Sequence, residues 1–90
     1  MTVRIANIDF HRVDYDADAD VLYLAAADPS EAVEFDETPE GHALRFAAGG
    51  RLVGITIVNA RKLIEQDGGV RITLPEVIAA ADIAPALVEA

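Results

Sequence analysis

The chain has no cysteine, a single serine, Ser30, only two histidines, His11 and His42, and almost no positive charge across its first half. Without cysteine there are no disulfides, thiolate metal sites or cysteine nucleophiles, which fits a reducing compartment. Ser30 lies in a turn-like Asp28-Pro29-Ser30 segment, and the sequence holds no Gly-Xaa-Ser-Xaa-Gly elbow, phosphate-binding loop or paired-histidine metal motif. No apolar run approaches the ~18 residues that a membrane helix needs, and residues 1–7 lack the apolar stretch of a signal peptide. The expected location is therefore the cytoplasm, with no membrane partner. The sequence predicts no catalytic residue, no metal ligand and no cofactor.

What is present is acid and apolar surface. Eleven acids face one base, Arg12, between Asp9 and Glu40, a net −10 in a chain whose total is −9, while residues 41–90 balance. Such a field repels phosphates, so direct nucleic-acid binding is not expected, and it attracts cations or a basic protein. A solvated face that only maintains solubility is the bland alternative. Ninety residues make one domain, 1–90, and a chain this short buries roughly 60–65% of its unfolded surface. A hydrophobic content of 52% is high for that size. Either the core is dense or apolar surface is covered by a second copy, and a homodimer is expected.

The organising stretch runs from Val13 to Leu24. Asp at 14, 16, 18 and 20 favours a turn, and Val21-Leu22-Tyr23-Leu24 favours a strand covered on both faces. Residues 3–15 carry apolar positions near a period of two, with phase slips after Ile5 and Phe10, which predicts an opening strand with a bend or bulge. Residues 31–35 predict a short edge strand with Val33 and Phe35 on one face, and residues 42–47 a third main strand. Gly49-Gly50 predicts a tight hairpin into a strand over 52–58, where Gly54 marks a bulge or a close backbone approach. Asn59 is a candidate helix cap for residues 60–66, with Arg61 and Lys62 facing the acidic segment. A strand over 70–74, a helix over 76–81 opened by Pro75, a stop at Pro85 and a docked apolar tail complete the C-terminal part, 70–90. The expected fold is α+β and mainly β: one antiparallel meander sheet of four to five strands with one or two short helices.

Asp14, Tyr15, Asp16, Asp18, Asp20, Tyr23, Glu37 and Glu40 are the candidate interaction residues. Asp16 and Asp20 are expected to hold the turn through backbone hydrogen bonds, and Tyr15 and Tyr23 to stack across the hairpin. Asp14, Asp18, Glu37 and Glu40 are then left to attract a basic partner. A calcium loop fits badly, because counting from Asp16 puts Val21 where the turn glycine belongs and Ala27 where the bidentate glutamate belongs. Two partly exposed strand histidines explain His11 and His42 better than an acid–base site does. A small enzyme or cation-binding domain using the Asp cluster and a histidine remains the alternative.

Val13-Asp14-Tyr15-Asp16, Ala19-Asp20-Val21-Leu22-Tyr23-Leu24, Gly50-Arg51-Leu52-Val53-Gly54-Ile55-Thr56-Ile57 and Ala60 together resemble the small-protein family labelled domain of unknown function 2283, over about residues 12–64. The chain departs from that pattern at Thr56, where the family often carries an acid, and in its longer part after Gly69. The resemblance implies no catalytic residues. It does imply an antitoxin-like role, since some members look like partners of small putative toxins, and this suits an acidic domain that neutralises a basic one.

Overall fold

Of the two phase slips near the N-terminus, the first is a chain reversal and the second a passage from one sheet to another. In the computed structural model, which describes residues 1–74, 78–81 and 83–89, the opening segment is three strands: β1 (Val3–Ile5), β2 (Ile8–Phe10) and β3 (Arg12–Asp16). Between β1 and β2, Ala6 and Asn7 both take positive φ, 51° and 65°. Two positive φ angles in a two-residue loop match the right-handed twist of the strands. Alanine is not a usual residue there, so no turn signal marks the reversal.

β3 turns at residues 17–20 into β4 (Val21–Ala25), and a 3₁₀ turn over Pro29–Glu31 leads to β5 (Ala32–Glu37). Asp28 caps that turn, its Oδ1 accepting from the Ser30 amide at 3.0 Å. The chain continues through β6 (Ala43–Ala47), β7 (Leu52–Val58), α1 (Ala60–Asp67), β8 (Val70–Thr73), β9 (Ile78–Ala81) and α2 (Ala84–Glu89). The glycine hairpin between β6 and β7 is present, with Gly49 and Gly50 at φ 89° and 88°.

The fold is mainly β with two helices, and its principal sheet has five antiparallel strands in the order β3-β4-β7-β6-β5. It departs from the expected single meander in two ways. The strand β4 pairs with β7 and leaves β5 at the far edge, and β1-β2 and β8-β9 form separate two-stranded sheets. The segment expected as a helix over 76–81 is instead β9 where it is described; alanine's strong local helix preference is overridden by pairing with β8, Val70 opposite Ala81. Residues 75–77 lie outside the described residues. Pro85 does not stop a helix but occupies the first turn of α2, where its missing donor costs nothing.

One face of the main sheet carries the core. Leu22, Leu24, Leu44, Ile55 and Ile57 pack with Val3, Ile5 and Phe10 of the first hairpin, with Val70 and Ile72 of β8, and with Ile83, Ala86 and Leu87 of the tail. The tail therefore docks on its own chain. The opposite face is open. Strand β4 shows the difference, since Leu22 and Leu24 are buried while Tyr23 is 43% exposed, so the expected cover on both faces is absent.

Candidate functional site

Asp20 ties the hairpin to the first helix. Its backbone takes φ 56°, a left-handed conformation that Asp tolerates better than most residues. That turns its carboxylate onto the N-terminus of α1, where Oδ1 accepts from the Arg61 amide at 2.8 Å and Oδ2 from the Lys62 amide at 3.2 Å. The Asp20 carbonyl accepts from the Ala60 amide at 3.1 Å, and the Tyr15 hydroxyl donates to Asp20 Oδ1 at 2.7 Å. The Arg61 guanidinium lies 5.8 Å from the Tyr15 ring centre and reaches the Leu87 carbonyl of α2 at 3.5 Å. Burial favours the neutral acid, but the two helix amides, the Tyr15 hydroxyl and the Arg61 charge outweigh it and hold the Asp20 carboxyl below its ordinary range. The same carboxylate, accepting the phenol proton, pushes the Tyr15 hydroxyl up.

Two sequence expectations change here. Asn59 sits at the helix start with φ 58° but makes no side-chain capping bond; the cap comes from Asp20, 41 positions before the Arg61 amide it binds. Asp20 thus holds a helix rather than its own turn. Asp16 holds the turn as expected, its Oδ1 accepting from the Asp18 and Ala19 amides at 3.1 and 3.2 Å. Tyr15 and Tyr23 cannot stack. Tyr15 pairs with Leu22 and Tyr23 with Asp14, so the two rings lie on opposite faces of the sheet.

On the open face the register builds two rows across the strands. One runs Arg12, Ala25, Gly54, Arg45, Phe35 and the next Asp14, Tyr23, Thr56, Ala43, Glu37. Asp14, Tyr23 and Glu37, chosen from sequence, therefore share one row; Asp16 and Asp18 lie at the hairpin end, and Tyr15 and Asp20 on the other side. At the centre, a Cβ on Gly54 would stand 2.9 Å from the Leu24 carbonyl oxygen and 3.6 Å from Arg45 Nε. The close approach expected at this glycine is real, and a register shift between Arg45 and Phe46 opposite it supplies a bulge as well. Arg45 lies across the gap and donates from Nη2 to Thr56 Oγ1 at 3.0 Å. What sequence reasoning passed over is how far β5 stands out: Val33 is 59% and Phe35 72% exposed. Their alternation with Glu34 and Asp36 was the available signal.

Glu40 leaves the set of free acids. It accepts from both the amide and the hydroxyl of Thr73, and these bonds hold its carboxyl down to about 2 from 4.5. The 38–42 loop is thereby fastened to β8. His42, expected at the surface, is 1% exposed, and neither ring nitrogen has a hydrogen-bond partner among the described residues. Burial lowers its basicity, with the Glu40 charge opposing in part. A histidine held neutral in the fold but free to charge when unfolded removes stability as pH falls below about 6.5. The loss from Glu40 begins only below 4.5, as pH falls toward its folded value of about 2. His42→Leu is expected to raise stability at neutral pH by ~1 kcal/mol, by removing unsatisfied polar atoms, and to flatten the pH dependence between these two windows. Urea titrations across that range check both effects.

His11 is exposed beside the Thr2 hydroxyl, 3.2 Å from Nδ1, well away from His42. Among the described residues no three His, Asp or Glu side chains group to hold a metal ion, and no helix is long and apolar enough to cross a membrane. The cation-binding alternative thus finds its carboxylates dispersed: Asp16 is spent on a turn, Asp20 on a helix and Glu40 on a strand.

No curated protein and no solved structure shows a significant match to the chain. A family model described as protein of unknown function (DUF2283) matches residues 12–61. That span opens at β3 and closes just after the Asp20-capped start of α1, so it encloses all four pairings of the main sheet and the contact that joins sheet to helix. With more than half of its length matched, the chain belongs to the DUF2283 family.

Proposed function

We propose that the chain is a protein-interaction module that binds a basic, extended segment of a partner protein along the β5 edge. The observation that carries this is the edge itself. Among the described residues Ala32–Glu37 pairs with β6 alone; it is exposed from Val33 onward, and its outer side carries Glu34, Asp36 and Glu37 beside backbone groups that no described strand takes, the Glu37 amide donating to Asp36 Oδ1 at 2.8 Å. Adding a strand to a free edge supplies affinity through main-chain bonds, and side chains at alternate positions supply specificity. Glu34 and Asp36 lie on one side of β5 and Glu37 on the other, so lysines on either face of an added strand meet an acid. The acids also discourage two copies of β5 from pairing with each other, because like charges would stand opposed.

A cytoplasmic location belongs to this reading. So does its narrower form, in which the partner is a small basic toxin and this chain its antitoxin-like neutraliser; a small basic protein encoded by the neighbouring gene would support that form. The test is fluorescence anisotropy with a labelled peptide of alternating lysine and valine. Binding is expected to weaken steeply as salt rises, because exposed charges are screened beyond ~8 Å near physiological ionic strength. Replacing Glu34, Asp36 and Glu37 together by Gln, Asn and Gln should weaken capture about tenfold or more at low salt, while circular dichroism shows the fold intact. Equal affinity for parent and variant would mean that the acids only guard the edge.

A further inference from the structure

We propose that the open face of the main sheet is the contact surface of a homodimer, with two copies stacked face to face about a two-fold axis. This does not depend on the β5 edge, which points sideways and stays free when sheets stack. Among the described residues, four of the five large apolar side chains that are exposed, Tyr23, Val33, Phe35 and Val58, come from strands of this sheet outside its core-facing set. The register places Tyr23 in the row with Thr56 and Phe35 in the row with Arg45, while Val58 stands opposite Val21. Sheets bury such a face by packing on another sheet about 10 Å away.

Charge identifies the occupant as a second copy. The chain carries −9, yet the charged residues of these rows are Arg12 and Arg45 against Asp14, Asp16 and Glu37. The face is therefore close to neutral on a strongly acidic molecule, and two like-charged chains can meet there with least repulsion. Its charges are also sorted along the strands. Arg12 and Arg45 share one row, Asp14 and Glu37 the next, and Asp16 stands beyond, paired with Val21. A two-fold axis running across the strands lays the basic end of one face over the acidic end of the other, which is the self-complementarity an isologous contact requires. Five strands ~4.8 Å apart and five residues at ~3.3 Å each give a face of ~400 Å² in projection. That is below the ~800 Å² per partner of a standard stable interface, so the dimer dissociates in the micromolar range or above.

Sedimentation equilibrium of the full chain from micromolar to millimolar concentration tests this. The mass should rise from 9.6 kDa toward twice that value, and the association should strengthen as salt screens the net charge of the two copies, opposite to the salt dependence expected for a basic peptide on β5. Tyr23→Glu and Phe35→Glu, both at exposed positions, should each raise the dissociation constant about tenfold or more without altering circular dichroism. A monomer mass at every concentration, or a dimer indifferent to both substitutions, overturns the proposal whatever the peptide does.

Discussion

Asp20→Ala is expected to lower the unfolding free energy by ~2–4 kcal/mol, a large part of the stability of a chain this small. The substitution removes a cap from α1 and leaves the Tyr15 hydroxyl, half-buried at the sheet–helix junction, without its acceptor. A missing cap costs ~1 kcal/mol, and hydrogen bonds to a charged group contribute ~1.5–3 kcal/mol. The loss should appear in urea unfolding, and amide exchange should quicken first in Ala60–Asp67. Asp20→Asn should recover part of the cap, because an amide oxygen still accepts one of the two helix donors. The pH dependence has a definite sign: the folded carboxyl lies below its ordinary value of 3.8, so its contribution is present above that value and is lost as pH falls below it. If Asp20→Ala unfolds at the parental urea midpoint, the junction is not held as described.

Gly54→Ala is expected to cost ~1–3 kcal/mol although it adds only one methyl group, because the new carbon would sit 2.9 Å from a backbone oxygen of the neighbouring strand. Gly54 has no positive φ, so the cost is contact and not conformation. Relief requires β4 and β7, two of the three inner strands, to move apart. Differential scanning calorimetry should show a clear fall in the melting midpoint, whereas Gly69→Ala, where nothing lies within 4 Å, should change it little.

The sheet was legible where residues alternate and turns carry their usual residues. The strands 52–58 and 43–47, the glycine hairpin between them and the Asp16 turn all follow from local chemistry. Three features were not local. The pairing of β4 with β7 skips two strands, and periodicity carries no information on which strands are neighbours. The cap of α1 comes from a residue 41 positions away, so the eye settles on Asn59, which is adjacent and of the right type. The burial of His42 depends on the 38–42 loop being fastened through Glu40 to Thr73 of β8, a contact between residues 33 apart. Strand β9 is hidden in the sequence because a run of alanines suits a helix unless a partner strand claims it.

The candidate surface was half legible for a related reason. Charge counting locates the acidic third of the chain and turn chemistry sets Asp16 and Asp20 apart, but Glu40 is left among the free acids and Glu34 and Asp36 are not singled out. Folding divides them by whether a backbone amide or hydroxyl lies within reach: Asp16, Asp20, Asp28 and Glu40 are bonded to other parts of the fold, Asp36 accepts only from the amide of its neighbour Glu37 at 2.8 Å, and Glu34 stands along the β5 edge. The distinction lies between attraction at long range, which any exposed acid provides, and a surface with backbone groups to bind a partner once attracted.

Capture of a basic extended segment by β5 can be read residue by residue from amide chemical-shift mapping of the nitrogen-15-labelled chain against the lysine–valine peptide at low and at high salt. Shifts are expected to concentrate in Ala32–Glu37, with slowed exchange of the β5 amides that face away from β6, and both effects should vanish at high salt. Shifts scattered over Asp14, Asp18 and the other exposed acids with none in β5, or no shifts at low salt, would contradict it.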